Sequence, residues 1–135
     1  MQTYQEFATK HKLELHFQER SSRPSDGTEW SKGSRHFLCE ILHDGMMTGW
    51  EFWFSQGPGI KREPDIAHIL HCLAMDAHSA GDSFEEWCAN FGYDTDSRKA
   101  YRTYEACEDT RDNLNRIFGD SALEELFFET SEDGE

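Results

Sequence analysis

Residues 35–55 read RHFLCEILHDGMMTGWEFWFS and decide the fold class of this chain. Two runs of β-forming residues flank Asp44 and Gly45, a pair that favours the positive φ angles of a two-residue hairpin turn. Alternate positions of the second run share one face of a strand, which groups three aromatic residues: Trp50, Phe52 and Phe54. The stretch therefore predicts an antiparallel hairpin.

The residues before this hairpin predict a third strand and a short helix. KLELHFQE (residues 12–19) alternates apolar and polar residues, a pattern typical of a half-buried strand. Thr3 and Glu6 have the spacing of a capping box, which predicts a helix at the N-terminus. Residues 21–34 are dense in Ser, Gly, Pro and Asp and predict a loop. We therefore expect three antiparallel strands arranged as a meander.

The C-terminal half has the periodicity of helices. Pro64 fits the first turn of a helix whose apolar residues follow at helical spacing: Ile66, Ile69, Leu70, Leu73 and Ala77. Ser83 and Glu86 form a second capping box, and Gly92 suits the end of the short helix that follows. A long helix is predicted from about residue 97 to 118, ended by Gly119, and a last helix begins at Ser121.

These elements give an α+β fold: a short N-terminal helix, a three-stranded antiparallel sheet and about four helices in the C-terminal half. No internal repeat or low-complexity linker interrupts the sequence. We therefore expect a single α+β domain over residues 1–130 and a flexible acidic tail over residues 131–135.

The charge of the chain is strongly negative and unevenly distributed. The net charge is −14; residues 1–60 carry 6 Lys/Arg and 8 Asp/Glu, whereas residues 61–135 carry 7 and 19. Such a field repels the phosphates of nucleic acid and attracts basic protein surfaces. Direct binding of DNA or RNA is therefore not expected.

Apolar segments are too short to place the chain in a membrane. No apolar run approaches the roughly 20 residues that span a bilayer, and the N-terminal residues lack the apolar core of a secretory signal. We therefore expect a protein of the cytoplasm with no membrane partner. Without a CxxC pair, the four cysteines are expected to stay free thiols: Cys39, Cys72, Cys88 and Cys107.

Residues 93–105, YDTDSRKAYRTYE, have the outline of a calcium-binding loop. Asp94, Asp96 and Glu105 fall at loop positions 1, 3 and 12, which supply carboxylates in an EF-hand. The fifth and sixth positions, which need an acid or amide and a glycine, hold cations instead: Arg98 and Lys99. We therefore interpret residues 94–96 as the cap of the long helix, where acids favour the positive end of the helix dipole.

Residues 68–78, HILHCLAMDAH, bring histidines close to a cysteine. His68 and Cys72 lie on one helix face and could share a zinc ion, but no second pair of ligands accompanies them. We therefore expect no metal and no other cofactor. A nucleophilic Cys–His pair stays open, because such residues meet in space rather than in sequence. Since no nucleophile elbow, phosphate loop or zinc-protease motif is present, we expect a protein without catalytic activity.

Two stretches resemble a group of small proteins encoded by tailed phages and prophages. They are FSQGPGIKREPDIAHILHCLAMDA (54–77) and SFEEWCANFGYDTDSRKAYRTYEACE (83–108), in which GYDTDSRKA followed by TYEAC is the most distinctive part. The similarity covers most of residues 35–128. The group has no established activity, so no catalytic residue is transferred. The resemblance implies a phage-derived protein that acts inside a bacterium.

The charge and this resemblance together lead to one functional hypothesis. A phage counter-defence protein of the anti-CRISPR or anti-restriction type would inhibit a host nucleic-acid-handling protein by presenting carboxylates to its basic surface. The carboxylates predicted to bind that partner are Glu85, Glu86, Asp94, Asp96, Glu105, Glu108, Asp109 and Asp112. Two alternatives stay open: an accessory or regulatory phage protein that binds a partner through the aromatic sheet, and a metal-dependent enzyme built on the His/Cys cluster.

Overall fold

A computed structural model describes residues 2–20, 35–57 and 59–131 of the protein. The loop predicted over residues 21–34, and residues 132–135 of the predicted tail, lie outside this described part. The contacts between residues group the chain into two compact units, Ala8–Ile66 and Met1–Phe7 with Ala67–Glu135, which we call the sheet unit and the helical unit. That the chain forms one domain over residues 1–130 stays a prediction.

The described residues form five helices and five strands, which confirms the α+β prediction. In chain order the elements are β1 (Gln2–Thr3), α1 (Tyr4–Lys10), β2 (Leu13–Arg20), β3 (Arg35–His43), β4 (Met46–Gln56), α2 (Ile66–Ser79), α3 (Phe84–Phe91), α4 (Arg98–Phe118), α5 (Asp120–Phe128) and β5 (Thr130–Ser131). The capping box of α1 forms in full, because the Thr3 hydroxyl accepts from the Glu6 amide and the Glu6 carboxylate accepts from the Thr3 amide.

The sheet unit contains the predicted meander, with the antiparallel order β2-β3-β4. Asp44 and Gly45 have φ angles of 55° and 79°, and His43 pairs with Met46, so the two-residue turn forms where the sequence predicts it. Alternate residues of β3 are fully buried on one face of the sheet: Phe37, Cys39 and Ile41. A register shift between Glu40 and Leu42 interrupts the pairing of β3 with β4.

The start of α2 differs from the prediction. The helix begins at Ile66, so Pro64 lies before it rather than in its first turn. Asp65 directly precedes the first helical residue, a position that Asp favours because its carboxylate can accept from the exposed amides of the first turn. The buried face is otherwise as predicted, with Ala74 added and Ile66 only half-buried: Ile69, Leu70, Leu73, Ala74 and Ala77.

The caps of α3 and α4 are both serines. The Ser83 hydroxyl accepts from the Glu86 amide at 3.2 Å, and α3 ends at Gly92 in the left-handed conformation, both as predicted. The prediction that residues 94–96 cap α4 is wrong. The Ser97 hydroxyl accepts from the Ala100 amide instead, because residues 94–97 form a turn in which the Ser97 amide donates to the Asp94 carbonyl.

The C-terminal elements also differ in detail from the prediction. Helix α5 begins at Asp120 rather than Ser121, and Gly119 at its N-cap provides no side chain to accept a hydrogen bond. Ser131, predicted to belong to the tail, lies in β5, which pairs in parallel with β1: Gln2 with Thr130 and Thr3 with Ser131. The Gln2 side chain donates to the Thr130 hydroxyl and to the Glu125 carboxylate, which attaches β1 to the end of α5.

Candidate protein-binding surface

An aromatic core joins α3 to α4 in the helical unit. Trp87, Cys88, Ala100, Tyr104 and Cys107 pack together there, and each is at most 8% exposed. The Trp87 indole nitrogen donates to the Ser79 hydroxyl at 3.2 Å, and the Tyr104 phenol donates to the backbone carbonyl of Asp82 at 2.6 Å. Ser79 is the last residue of α2 and Asp82 follows it closely, so both hydrogen bonds attach this core to the C-terminal end of α2. The position of α3 relative to α4 is thereby fixed.

Four further rings extend this core to the surface, and we call Phe84, Phe91, Tyr93 and Tyr101 the aromatic ridge. Tyr93 stacks on Trp87 with 5.3 Å between ring centroids and 3° between ring planes, and Phe91 lies 5.1 Å from Trp87. Phe84 meets the Tyr101 ring edge-on at 5.4 Å. Phe91 and Tyr101 are 56% and 52% exposed. The aromatic ridge is therefore an apolar surface with an ordered base.

The eight carboxylates predicted to bind a partner are all exposed. Glu85 and Glu86 lie in the first turn of α3, Asp94 and Asp96 lie in the turn before α4, and the other four belong to α4: Glu105, Glu108, Asp109 and Asp112. The first four thus flank α3, two in its first turn and two in the turn between α3 and α4. Their role as partner-binding residues stays a prediction.

The helix α4 presents its remaining acids among cations. Its buried side carries Ala100, Tyr104, Cys107 and Leu114, so Glu105, Asp109 and Asp112 point to the opposite side. The same side carries three arginines: Arg98, Arg102 and Arg116. Neighbouring opposite charges at helical spacing reduce the field that a partner experiences. The outer side of α4 is therefore less anionic than its acids alone suggest.

The segment around α3 contains no cation of its own. Residues 82–96 contain five acids, all exposed, and no Lys or Arg. Burial, and then the charge of Asp94, raise the pKa of the Cys88 thiol. Burial, and then the charges of Glu108 and Asp82, raise the pKa of the Tyr104 phenol. Asp82, Asp94 and Glu108 therefore act on side chains of the core from which the aromatic ridge projects.

The histidines and cysteines of α2 do not converge. The Cys72 sulfur lies 3.9 Å from the His68 Nε2, but His71 packs edge-on against Tyr4 and His78 against Phe127. Across residues 2–20, 35–57 and 59–131, no three His, Cys, Asp or Glu side chains are grouped so that they could hold a metal ion. All four cysteines are free, and Cys72 alone of them is half-buried rather than buried.

A groove of about 450 Å³ lies between the end of α2, α4 and α5 in the helical unit. The Arg111 guanidinium crosses it, since Nη1 donates to the Ala77 carbonyl at 3.2 Å and Cζ lies 5.5 Å from the centre of the Phe127 ring. Asp82, Asp120 and Glu124 lie at its margin. Arg111 thus holds α4 against the neighbouring helices, a role that its place near the apolar side of α4 could have suggested.

The exposed aromatic residues favour the helical unit over the sheet as a binding surface. Among the described residues, four aromatic side chains of the helical unit are more than 36% exposed: Phe91, Tyr93, Tyr101 and Phe128. In the sheet unit, Phe17 is 36% exposed, while Phe52, Trp53 and Phe54 are half-buried. Sequence reasoning assigned the carboxylates to an interface but missed the aromatic ridge. Its signal was Tyr101, which falls beside the apolar stripe of α4.

The fold and this surface define a small acidic α+β protein whose exposed rings lie among carboxylates. Comparisons of the chain with models of protein families, with curated proteins and with solved structures give no match. The resemblance to small phage proteins therefore stays a prediction. In the described residues, no helix combines the length and the apolar character needed to cross a membrane.

Proposed function

We propose that the protein inhibits a host nucleic-acid-handling protein by binding its basic surface with the carboxylates around α3 and α4. One observation carries this proposal: residues 82–96 present five exposed acids without a single Lys or Arg. A segment that contributes acids and no cation adds negative charge to the surface on which it lies. An arginine- or lysine-lined groove, built to hold phosphates, complements such a cluster.

The amount of charge also favours binding over mere solubility. A net charge of magnitude about 2 to 8 keeps a small domain soluble, and this chain carries −14. Excess like charge destabilises a compact chain through self-repulsion, so its retention has a physical cost. Attraction of a basic partner requires this excess negative charge, whereas solubility does not.

The resemblance to phage proteins supplies the biological setting. A protein that a phage produces inside a bacterium meets restriction enzymes and CRISPR effectors, which handle DNA or RNA through basic grooves. Counter-defence of the anti-CRISPR or anti-restriction type is therefore the form of inhibition that we propose. The protein itself is expected to bind neither DNA nor RNA, because its field repels phosphates.

Displacement of host proteins from DNA tests this function and identifies the target in the same experiment. Bacterial lysate is bound to DNA–cellulose at about 50 mM salt, the protein is added in increasing amounts, and released proteins are identified by mass spectrometry. We expect release of one or a few nucleic-acid-handling proteins at near-stoichiometric amounts. At about 500 mM salt, where charges are screened within roughly 4 Å, the direct association of protein and released target should be slower.

Two charge-reversal variants make the test specific to the surface. Glu85→Lys, Asp96→Lys and Glu108→Lys together should weaken binding by about 10-fold or more, since several carboxylates share the interface. The matched control reverses three exposed acids elsewhere, Glu14, Glu51 and Glu124, with the same change in net charge. An equal loss of binding in both variants would mean that net charge alone causes the effect. Unchanged binding in the first variant would contradict the proposal.

A further inference from the structure

The aromatic ridge contains rings that pack against other aromatic residues and yet remain largely exposed. Phe91 packs on the core ring of Trp87, Tyr101 packs on the ridge ring of Phe84, and both leave more than half of their surface in water. Aromatic side chains that are held by packing and yet exposed are typical of the residues that dominate binding energy at protein interfaces. The ridge is therefore a candidate for the anchor of the proposed interface.

Carboxylates accompany each part of the ridge. Glu85 follows Phe84 in the chain, and Asp94 follows Tyr93. On α4, Glu108 lies two turns after Tyr101, on the same side of the helix. A partner group that rests on these rings therefore meets an acid-rich part of the helical unit, which favours a cationic group.

From this arrangement we propose that the aromatic ridge binds arginine side chains of the partner. This proposal rests on the proposed function and specifies which partner side chains the surface recognises. A guanidinium is planar and weakly hydrated, so it stacks on a ring while its edge donates to a carboxylate in a bidentate manner. A lysine ammonium is compact and strongly hydrated, and offers no planar face for stacking. The partner is accordingly an arginine-rich surface.

The chain already uses this pairing with its own residues. Arg111 lies over the Phe127 ring at 5.5 Å, and Arg35 lies over Phe37 at 5.0 Å while its guanidinium donates to both carboxylate oxygens of Glu19. Both arginines pack on rings outside the ridge, and the Phe91 and Tyr101 rings of the ridge stay more than half exposed. These rings are therefore accessible to arginines of another molecule.

The arrangement also suits the imitation of nucleic acid. Proteins that grip single-stranded DNA or RNA stack arginine and aromatic side chains on bases and pair cations with phosphates. In this protein the ridge rings would take the place of bases and the carboxylates that of phosphates. An inhibitor built from acids alone would imitate only the phosphates.

Two synthetic peptides of equal charge, octaarginine and octalysine, test the inference. Each carries a fluorescent label, and its affinity is measured by fluorescence anisotropy at about 50 mM salt. We expect the wild-type protein to bind octaarginine about 10-fold more tightly than octalysine. The double variant Phe91→Ala, Tyr101→Ala should lose most of that preference and keep its affinity for octalysine. Phe128→Ala, which removes a ring 63% exposed on α5, is the matched control and should keep the preference.

The outcomes separate this inference from the proposed function. Equal binding of the two peptides, or a preference that the double variant retains, overturns the arginine inference alone, provided that the Glu85, Asp96 and Glu108 reversal still weakens both peptides. If neither peptide binds, or if the Glu85, Asp96 and Glu108 reversal does not change peptide binding, both the arginine inference and the proposed function are overturned. A titration of the wild-type protein with octaarginine, followed by NMR of the ring protons, needs no variant. Shifts at Phe91 and Tyr101 support the inference, and shifts confined to rings of the sheet unit contradict it.

Discussion

The phenol of Tyr104 donates a hydrogen bond of 2.6 Å to the backbone carbonyl of Asp82. This bond connects α4 to the residue that precedes the cap of α3, and the Tyr104 ring packs on both Trp87 and Phe84. This buried side chain therefore helps to hold the acids of α3 in position relative to those of α4. The acidic surface depends on a polar contact inside the helical unit.

Removal of that contact should destabilise the helical unit. Tyr104→Phe leaves the ring in place but deprives the Asp82 carbonyl of its donor, and we expect a loss of about 1 to 2 kcal/mol in the free energy of unfolding, measured with urea. Tyr101→Phe is the matched control, because Tyr101 is 52% exposed, and should change the stability by less than about 0.5 kcal/mol. Equal stabilities of the two variants would contradict this account.

The serine cap of α4 gives a second prediction, which separates the structure from the interpretation based on the sequence. Ser97→Ala removes the acceptor of the Ala100 amide and should cost about 1 kcal/mol. Asp96→Ala should cost less, because the Asp96 side chain is exposed and the cap hydrogen bond belongs to Ser97. Chemical denaturation of both variants decides between them. A larger loss from Asp96→Ala would restore residue 96 as the cap.

Alkaline pH should destabilise the protein through its buried thiols. Burial raises the pKa of Cys39 to about 11, from an ordinary value near 9.0. Because the folded state holds the thiol neutral, its contribution to stability is complete below about pH 9 and is lost as the pH rises through about 11. Urea midpoints measured between pH 8 and pH 11 should fall more steeply for the wild type than for Cys39→Ala. Parallel slopes in the two proteins would show that Cys39 does not titrate in this way.

The same burial predicts the order in which the cysteines react. Cys39, Cys88 and Cys107 are buried, whereas Cys72 is half-buried. We expect a thiol reagent at pH 8 to modify Cys72 first in the folded protein, and the other three only on unfolding, because the reactive thiolate needs access to the reagent. Mass spectrometry after partial labelling identifies the site. Rapid labelling that persists in Cys72→Ser would be inconsistent with this order.

The arginines on the outer side of α4 lead to the prediction that two sets of acids contribute unequally to the binding of a basic partner. Reversal of Glu105, Asp109 and Asp112 to Lys should weaken binding of a basic partner less than reversal of Glu85, Asp96 and Glu108, because Arg98, Arg102 and Arg116 already neutralise the outer side of α4. Binding of octaarginine by the two triple variants measures the difference at equal net charge. A greater loss from the first triple would place the interface on the outer side of α4.

Elements with strong local signals were predicted well. Asp44 and Gly45 adopt positive φ angles that few other pairs accept, Ser83 caps α3, and Gly92 and Gly119 follow the ends of α3 and α4. The carboxylates were correctly expected to be exposed, since a charge that leaves water without a partner is strongly disfavoured. In each case the deciding energy acts on the residue itself or on its near neighbours in sequence.

Trp87 and Phe91 show where local reasoning fails. They lie four residues apart on α3 and belong to one helical face, yet Trp87 is 3% exposed and Phe91 is 56% exposed. Hydrophobic periodicity along the sequence therefore predicts the same burial for both side chains. The difference arises because Ser79, Tyr93 and Tyr104 meet around Trp87, whereas Phe91 lies in the last turn of the helix.

By itself, the sequence determined the α+β class, the hairpin turn, both ends of α3, the C-terminal end of α4 and the anionic character of the C-terminal half, because these follow from backbone preferences, hydrophobic periodicity and charge. Only the tertiary structure decided that β1 pairs with β5, that Ser97 caps α4 and that four rings form a surface among the acids. Gln2 and Thr130 are separated by nearly the whole chain, so no local pattern encodes their pairing. Such contacts form only when distant segments pack together, and the energy that selects them belongs to the assembled fold rather than to any stretch of sequence.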